Sequence, residues 1–145
     1  MKKIFFVCTG NTCRSPMAEV LAKSMCKNEN VFIASRGILG NGSPASQDAL
    51  EAVLRFNLDL SNHKSKTISK DELETATIIL TMTNEHKDLI VYSFPEYSEK
   101  IFTLYEYVLK EQKDIQDPFG CDFATYMNCA KEIKALIEKI DFEKI

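Results

Sequence analysis

A junction near the N-terminus constrains the fold more than any other feature of this chain. The apolar run Ile4-Phe5-Phe6-Val7 stops at Cys8-Thr9-Gly10-Asn11-Thr12-Cys13-Arg14-Ser15 and gives way to Pro16-Met17-Ala18-Glu19-Val20-Leu21-Ala22. A buried strand, a single turn and a helix follow in that order. Pro16 falls in the first helical turn, where its missing N–H costs nothing. The same alternation continues down the chain. Lys2 to Val7 reads as a central strand, and Ser15 to Lys27 as a helix whose inward face carries Val20, Leu21, Ser24 and Met25. Val31 to Ser35 is a second strand closed by Gly37, and the Gly- and Ser-rich stretch to Pro44 is a loop before a helix over Ser46 to Phe56. Ser69-Lys70-Asp71-Glu72 has the form of a capping box. Thr77 to Met82 and Lys100 to Leu104 read as strands three and four, with a helix between them capped by Thr83 or Asn84. A polar loop from Lys110 to Gly120 and an amphipathic helix from Phe123 to Ile140 close the chain. Strands separated by helices imply right-handed crossovers. The expected fold is therefore a single three-layer α/β domain over residues 1–145, a four-stranded parallel sheet with helices on both faces.

Composition narrows the function classes. With 18 Lys and Arg against 21 Asp and Glu, the net charge is −3, which is not the footprint of a nucleic-acid binder. No apolar run approaches the roughly 20 residues a membrane span needs. Met1-Lys2-Lys3 resembles the start of a signal peptide, but Thr9-Gly10-Asn11 breaks the apolar run too early. The five cysteines, Cys8, Cys13, Cys26, Cys121 and Cys129, form an odd count without a dense framework. That suits reduced thiols in a cytoplasmic protein. There is no CxxC pair and no HExxH, and His63 and His86 are the only histidines, so neither a metal nor another cofactor is expected. A monomer is expected.

In open α/β sheets ligands bind beyond the carboxyl ends of the strands. The octapeptide Cys8 to Ser15 follows the first strand and abuts the positive end of a helix, where free N–H groups favour an anion. A cysteine there is expected to react as its thiolate. Arg14 adds a planar, permanently charged fork for two oxygens of a phosphate-like group. Gly10 and Asn11 suit the positive φ angles of a backbone nest, to which Thr9, Thr12 and Cys13 also contribute N–H groups. Ser15 can donate to the Cys8 sulfur. These residue types at this spacing point to phosphoryl transfer, with Cys8 attacking phosphorus in line while Arg14 and the nest hold the equatorial oxygens.

A leaving group needs a proton, and Asp117-Pro118-Phe119-Gly120 offers a carboxylate in the long loop on the same edge of the sheet. Phe119 would form a wall beside a substrate. Asp114 and Asp122 are competing carboxylates. Cys26 reads as helix-face core, His86 as a solvated helix position and His63 as a hydrogen-bonding strut.

Val-Cys-x-Gly-Asn-x-Cys-Arg-Ser-Pro near the N-terminus, with Asp-Pro-aromatic near the C-terminus, resembles the low-molecular-weight protein tyrosine phosphatases. Ser35 at the end of the second strand, Asn62-His63-Lys64 and Ile79-Leu80-Thr81-Met82 extend the likeness to essentially the full length. The resemblance implies Cys8 as nucleophile, Arg14 as phosphate clamp and Asp117 as general acid, then general base. It also implies that Ser15 assists the thiolate, and that Asn11 orders the loop with help from Ser35, Ser43 or His63. A reversible disulfide between Cys8 and Cys13, protecting Cys8 from over-oxidation, belongs to the same implication.

Two positions depart from the tyrosine-specific branch, which carries an aliphatic residue where this chain has Thr12 and Asp where it has Thr83. Cys-Thr-Gly-Asn-Thr-Cys-Arg-Ser-Pro-Met-Ala-Glu and Met-Thr-x-x-His-Lys resemble the bacterial protein-arginine phosphatases of the same superfamily. There a threonine at this position is linked to phosphoarginine selectivity. A smaller, hydroxyl-bearing wall suits a polar P–N linkage, and a guanidinium can stack on Phe119 and pair with Asp117. Phosphorylated protein side chains are thus the expected partners, phosphoarginine ahead of phosphotyrosine. An arsenate reductase on this scaffold would need resolving cysteines after the third strand, and Thr81 to Phe94 contain none. A phosphocysteine carrier has no need of Arg14, and a pure anion-binding module leaves Cys8 unexplained.

Overall fold

The computed structural model describes residues 1–145. Four parallel strands, β1 (Lys2–Cys8), β2 (Val31–Gly37), β3 (Ile78–Thr81) and β4 (Ile101–Thr103), lie in the order β2-β1-β3-β4. In register, Phe6 pairs with Ser35 on one side and Leu80 on the other, and Leu80 pairs with Phe102. Because strand side chains alternate, β1 feeds both cores. Ile4, Phe6 and Cys8 join Ile33, Leu80 and residues of α1 (Arg14–Met25), α2 (Gln47–Leu54) and α6 (Phe123–Ile137) in the larger cluster. Phe5 and Val7 face the opposite way, against Leu73 of α3 (Lys70–Thr75) and Ile90 of α4 (Asn84–Ser93). A strand buried on both faces must be apolar throughout, as Ile4 to Val7 is. The three-layer parallel α/β fold is as expected.

The chain leaves β1 for β2 on one side and later returns to β3 on the other. The strand order therefore reverses at β1, and the crevice beyond its carboxyl end is where Cys8 to Ser15 lie. The Ser69–Glu72 capping box forms, and Thr83, not Asn84, caps α4.

Element ends differ from the sequence reading by a few residues. The first helix runs from Arg14 to Met25, and Met17, Ala18, Leu21 and Ala22 form its buried face, whereas Ser24 is exposed and Val20 and Met25 are only partly buried. The helix is covered on two sides, by the sheet and by α6, so small residues define its inner stripe. Leu104 does not end the fourth strand. It opens α5 (Leu104–Leu109), whose start is fixed by a capping box of Thr103 and Glu106. The last helix stops at Ile137.

Candidate active site

The loop between β1 and α1 is fastened by its carbonyls. The carbonyl of Cys8 accepts from Ile38 N, that of Thr9 from Leu39 N and that of Thr12 from Ser46 N, at 2.9–3.0 Å. The Nε2–H of His63 donates to the Asn11 carbonyl at 2.7 Å. None of the backbone N–H groups from Thr9 to Ser15 donates to another protein group. Cys13, which caps α1, makes no side-chain cap, and the first turn has no acidic residue. Carbonyls turned outward into the scaffold and amides left unpaired are the arrangement of an anion-binding nest, reinforced by the helix dipole.

Asn11 is the keystone of the loop. Its φ is +58°, in the left-handed region Asn tolerates better than most residues, and it is completely buried. Its Oδ1 accepts from Lys66 N at 3.0 Å, and its Nδ2 donates to Ser15 Oγ at 2.9 Å. Ser15 must then aim its own proton elsewhere. Cys8 Sγ lies at 2.9 Å and the Arg36 carbonyl at 3.3 Å, so the nearer acceptor is the sulfur. Gly10, by contrast, does not adopt positive φ. Gly37 matters more, because a Cβ there would lie 2.8 Å from the Thr9 carbonyl oxygen and 3.0 Å from Asn11 Cβ. The loop rests directly on the end of β2, and only a missing side chain permits it.

Cys8, Thr9, Gly10, Thr12, Cys13, Arg14, Asp117 and Phe119 line a cavity of about 160 Å³. Asn11 and Ser15 lie behind it as supports. Arg14 is buried (4 % exposed), with Nη1 donating to the Ile115 carbonyl at 2.9 Å. Its Nη2 lies 3.6 Å from Asp117 Oδ2, and its Nε has no protein partner. A buried guanidinium with an unused N–H on a cavity wall is suited to two oxygens of one anion.

The loop carrying Asp117 is tied at its base. Ile115 N donates to the Met82 carbonyl, and Asp114 Oδ1 accepts from Asn84 N. Asp117 Oδ1 accepts from Phe119 N, a local turn that presents the carboxylate with half of its surface open. Of the competing carboxylates, Asp114 serves Asn84, and Asp122 caps α6 through Thr125 N and Oγ1. Asp117 alone of the three lines the cavity. Phe119 stands at its rim, 75 % exposed. A larger recess of about 220 Å³ between Ile38, Leu73, Ile90 and Phe94 is lined mainly by apolar side chains and carries no titratable one.

Several positions depart from expectation. Ser35 does not reach the loop; its Oγ donates to Glu19 Oε1 at 2.7 Å. Ser43 bonds to Asn41 and Ser65, one layer further out. Of the three suggested helpers of Asn11, only His63 touches the loop. Cys26 is partly buried, Cys129 buried and Cys121 exposed. Cys13 Sγ faces Ser46 Oγ at 3.4 Å and Tyr126 OH at 3.6 Å.

The larger correction concerns His86. It is not solvated but buried (4 % exposed), with Nε2 2.7 Å from Thr9 Oγ1. Burial and the nearby Arg14 cation, opposed by Asp114 and Asp117, push its pKa down to about 4. The polar flanks Glu85 and Lys87 disguise it, because one buried position per turn leaves no periodic signal in so short a helix.

The comparisons agree with this geometry. Residues 3–144 match the model of the low molecular weight phosphotyrosine protein phosphatase family. The chain is 40 % identical over 140 residues to a protein-arginine-phosphatase of Bacillus subtilis, covering 94 % of this chain and 93 % of that protein. It is 42 % identical over 142 residues to the low molecular weight protein-tyrosine-phosphatase PtpB of Staphylococcus epidermidis, covering 97 % and 98 %. A solved structure of the YwlE arginine phosphatase, a Cys-to-Ser mutant with a phosphorylated active site serine, superposes with a TM-score of 0.90. Its identity is 38 %, over 94 % of this chain and 91 % of that one. With these likenesses over nearly the whole length, the chain belongs to the low molecular weight phosphotyrosine protein phosphatase family.

Proposed function

We propose that this enzyme hydrolyses phosphoarginine on proteins through a phosphocysteine intermediate on Cys8. The observation that carries the reading is the set of unpaired N–H groups from Thr9 to Ser15, together with Arg14 Nε, around the cavity that Cys8 lines. Cys8 Sγ attacks phosphorus in line, and the S–P bond forms as the P–N bond breaks. The nest and Arg14 hold the equatorial oxygens. Asp117 gives its proton to the departing nitrogen, then accepts one from the water whose oxygen displaces the thiolate and releases phosphate. The Ser15 hydroxyl supports negative charge on sulfur before attack and again at departure.

The substrate class rests on the cavity wall. Thr12 lines it with a hydroxyl, and Phe119 offers a face for a guanidinium whose nitrogens pair with Asp117. The protein-arginine-phosphatase of B. subtilis supports the same class. Cys13 lines the cavity beside Cys8, which supports reversible pairing of the two thiols under oxidation. The reading also carries a cytoplasmic monomer, in keeping with the odd count of five cysteines.

The test is a side-by-side kcat/KM comparison of phosphoarginine and phosphotyrosine peptides, using wild type and Thr12→Ile. Wild type is expected to prefer phosphoarginine, and Thr12→Ile to shift the ratio toward phosphotyrosine. A wild-type preference for phosphotyrosine, or a ratio indifferent to Thr12, refutes the substrate assignment. Turnover retained in Cys8→Ser refutes the mechanism.

A further inference from the structure

We propose that His86 is a positioning residue that turns the Thr9 hydroxyl into a hydrogen-bond donor aimed at the bound phosphoryl group. The inference rests on the phosphatase reading above and adds a group outside the nucleophile loop to its machinery.

Three observations lead there. Thr9 lines the catalytic cavity next to Cys8, and its side chain makes no hydrogen bond other than that to His86. The Nε2···Oγ1 separation of 2.7 Å joins residues 77 positions apart, so the contact is tertiary and not a by-product of local structure. The imidazole is buried, and its Nδ1 has no partner. A neutral ring carries one N–H. Were it on Nδ1, a buried donor would have no acceptor, which is costly. Placed on Nε2, it donates to Thr9 Oγ1, and only a bare lone pair is left unpaired. Burial, reinforced by the Arg14 cation, keeps the ring neutral.

The consequence lies in the hydroxyl. A threonine oxygen that accepts from His86 points its own proton away from the ring. Because Thr9 is on the cavity wall, that proton is available to an oxygen of the phosphoryl group, alongside the loop amides and Arg14. No proton is transferred. The ring fixes the rotor and polarises the O–H, an effect felt most where negative charge grows on the equatorial oxygens.

His86 is held for this task. Its backbone N donates to Thr83 Oγ1, the cap of α4, which fixes the helix start, and α4 begins at the end of β3 beside the loop. The His-Thr pair thus bridges two strand ends across the crevice.

The test is a double-mutant cycle on the full chain with a phosphoarginine peptide and a generic aryl phosphate, with thermal melts as the check on folding. His86→Leu and Thr9→Val should each lower kcat about 5- to 10-fold with KM within about twofold, the scale of one hydrogen bond made chiefly in the transition state. The double variant should be no worse than either single one. His86→Gln, which keeps an N–H donor, should recover most of the lost kcat. Additive losses, a His86→Gln no better than His86→Leu at equal stability, or unchanged kcat in Thr9→Val overturns the proposal. Absence of turnover by wild type on both substrates would instead overturn the phosphatase reading.

Discussion

Replacing Asn11 separates the two ways in which the loop between β1 and α1 is held, by side-chain bonds and by backbone conformation. Asn11→Ala removes the acceptor of Lys66 N and the donor to Ser15 Oγ. The lost bond to Ser15 costs about 1 kcal/mol, and a part-buried Lys66 N–H without an acceptor about 1–2 kcal/mol. Alanine must also take the φ of +58° that Asn11 tolerates, which adds about 1 kcal/mol. The sum is about 3–4 kcal/mol. Asn11→Gly loses the same two bonds but meets no penalty at positive φ, so its loss is about 2–3 kcal/mol. Urea denaturation of the three proteins, with m-values compared to confirm a common transition, measures both numbers. The order wild type, then Gly, then Ala is the expected result, with about 1 kcal/mol between the last two. Alanine as stable as glycine would refute the conformational term. Losses below about 1 kcal/mol in both would show that the buried bonds of Asn11 do not hold the loop.

Gly37→Ala is expected to lower kcat with little effect on the far side of the sheet, since its Cβ would press on Thr9 O at 2.8 Å. A steady-state assay against a melting curve checks this, and full activity would show that the loop can shift without loss. His86 predicts a pH dependence of stability. The unfolded histidine titrates near pH 6.5 and the folded one at about 4, so the unfolded state binds more protons between those values. Stability therefore falls as pH drops through that window, by about 2 kcal/mol between about pH 7 and pH 5. Urea titrations of wild type and His86→Leu at both pH values should differ by that slope, and equal slopes would contradict a depressed titration.

The chemistry of the loop was legible in the sequence because it is local. Cys8, Arg14 and Ser15 lie within one turn and a helix start, and backbone geometry over so few residues is governed by Gly, Asn and Pro. The strands were equally legible, since β1 is apolar on both faces and needs no partner to declare itself buried. The Asp-Pro-aromatic resemblance singled out Asp117, but what occupies its two competitors was not legible: Asp114 accepts from Asn84 N, and Asp122 caps the last helix through Thr125. Gly37 looked like a strand terminator, while its real constraint is the loop resting on it. The burial of His86 was not legible either, because its ring bonds Thr9, 77 positions away in the chain, and its polar neighbours in α4 give no sign of it.

Sequence by itself determined the cysteine-arginine loop after the first strand, the layer order of the fold and its family. Those follow from short-range periodicity and from a motif whose spacing is its own geometry. Tertiary structure alone decided which of the suggested helpers reaches Asn11, that Asn11 is buried with its Oδ1 on Lys66 N, and that His86 in the first turn of α4 bonds Thr9. Each of these depends on contacts between segments dozens of residues apart. Their free energy arises from burial and pairing on folding, and no local pattern encodes it.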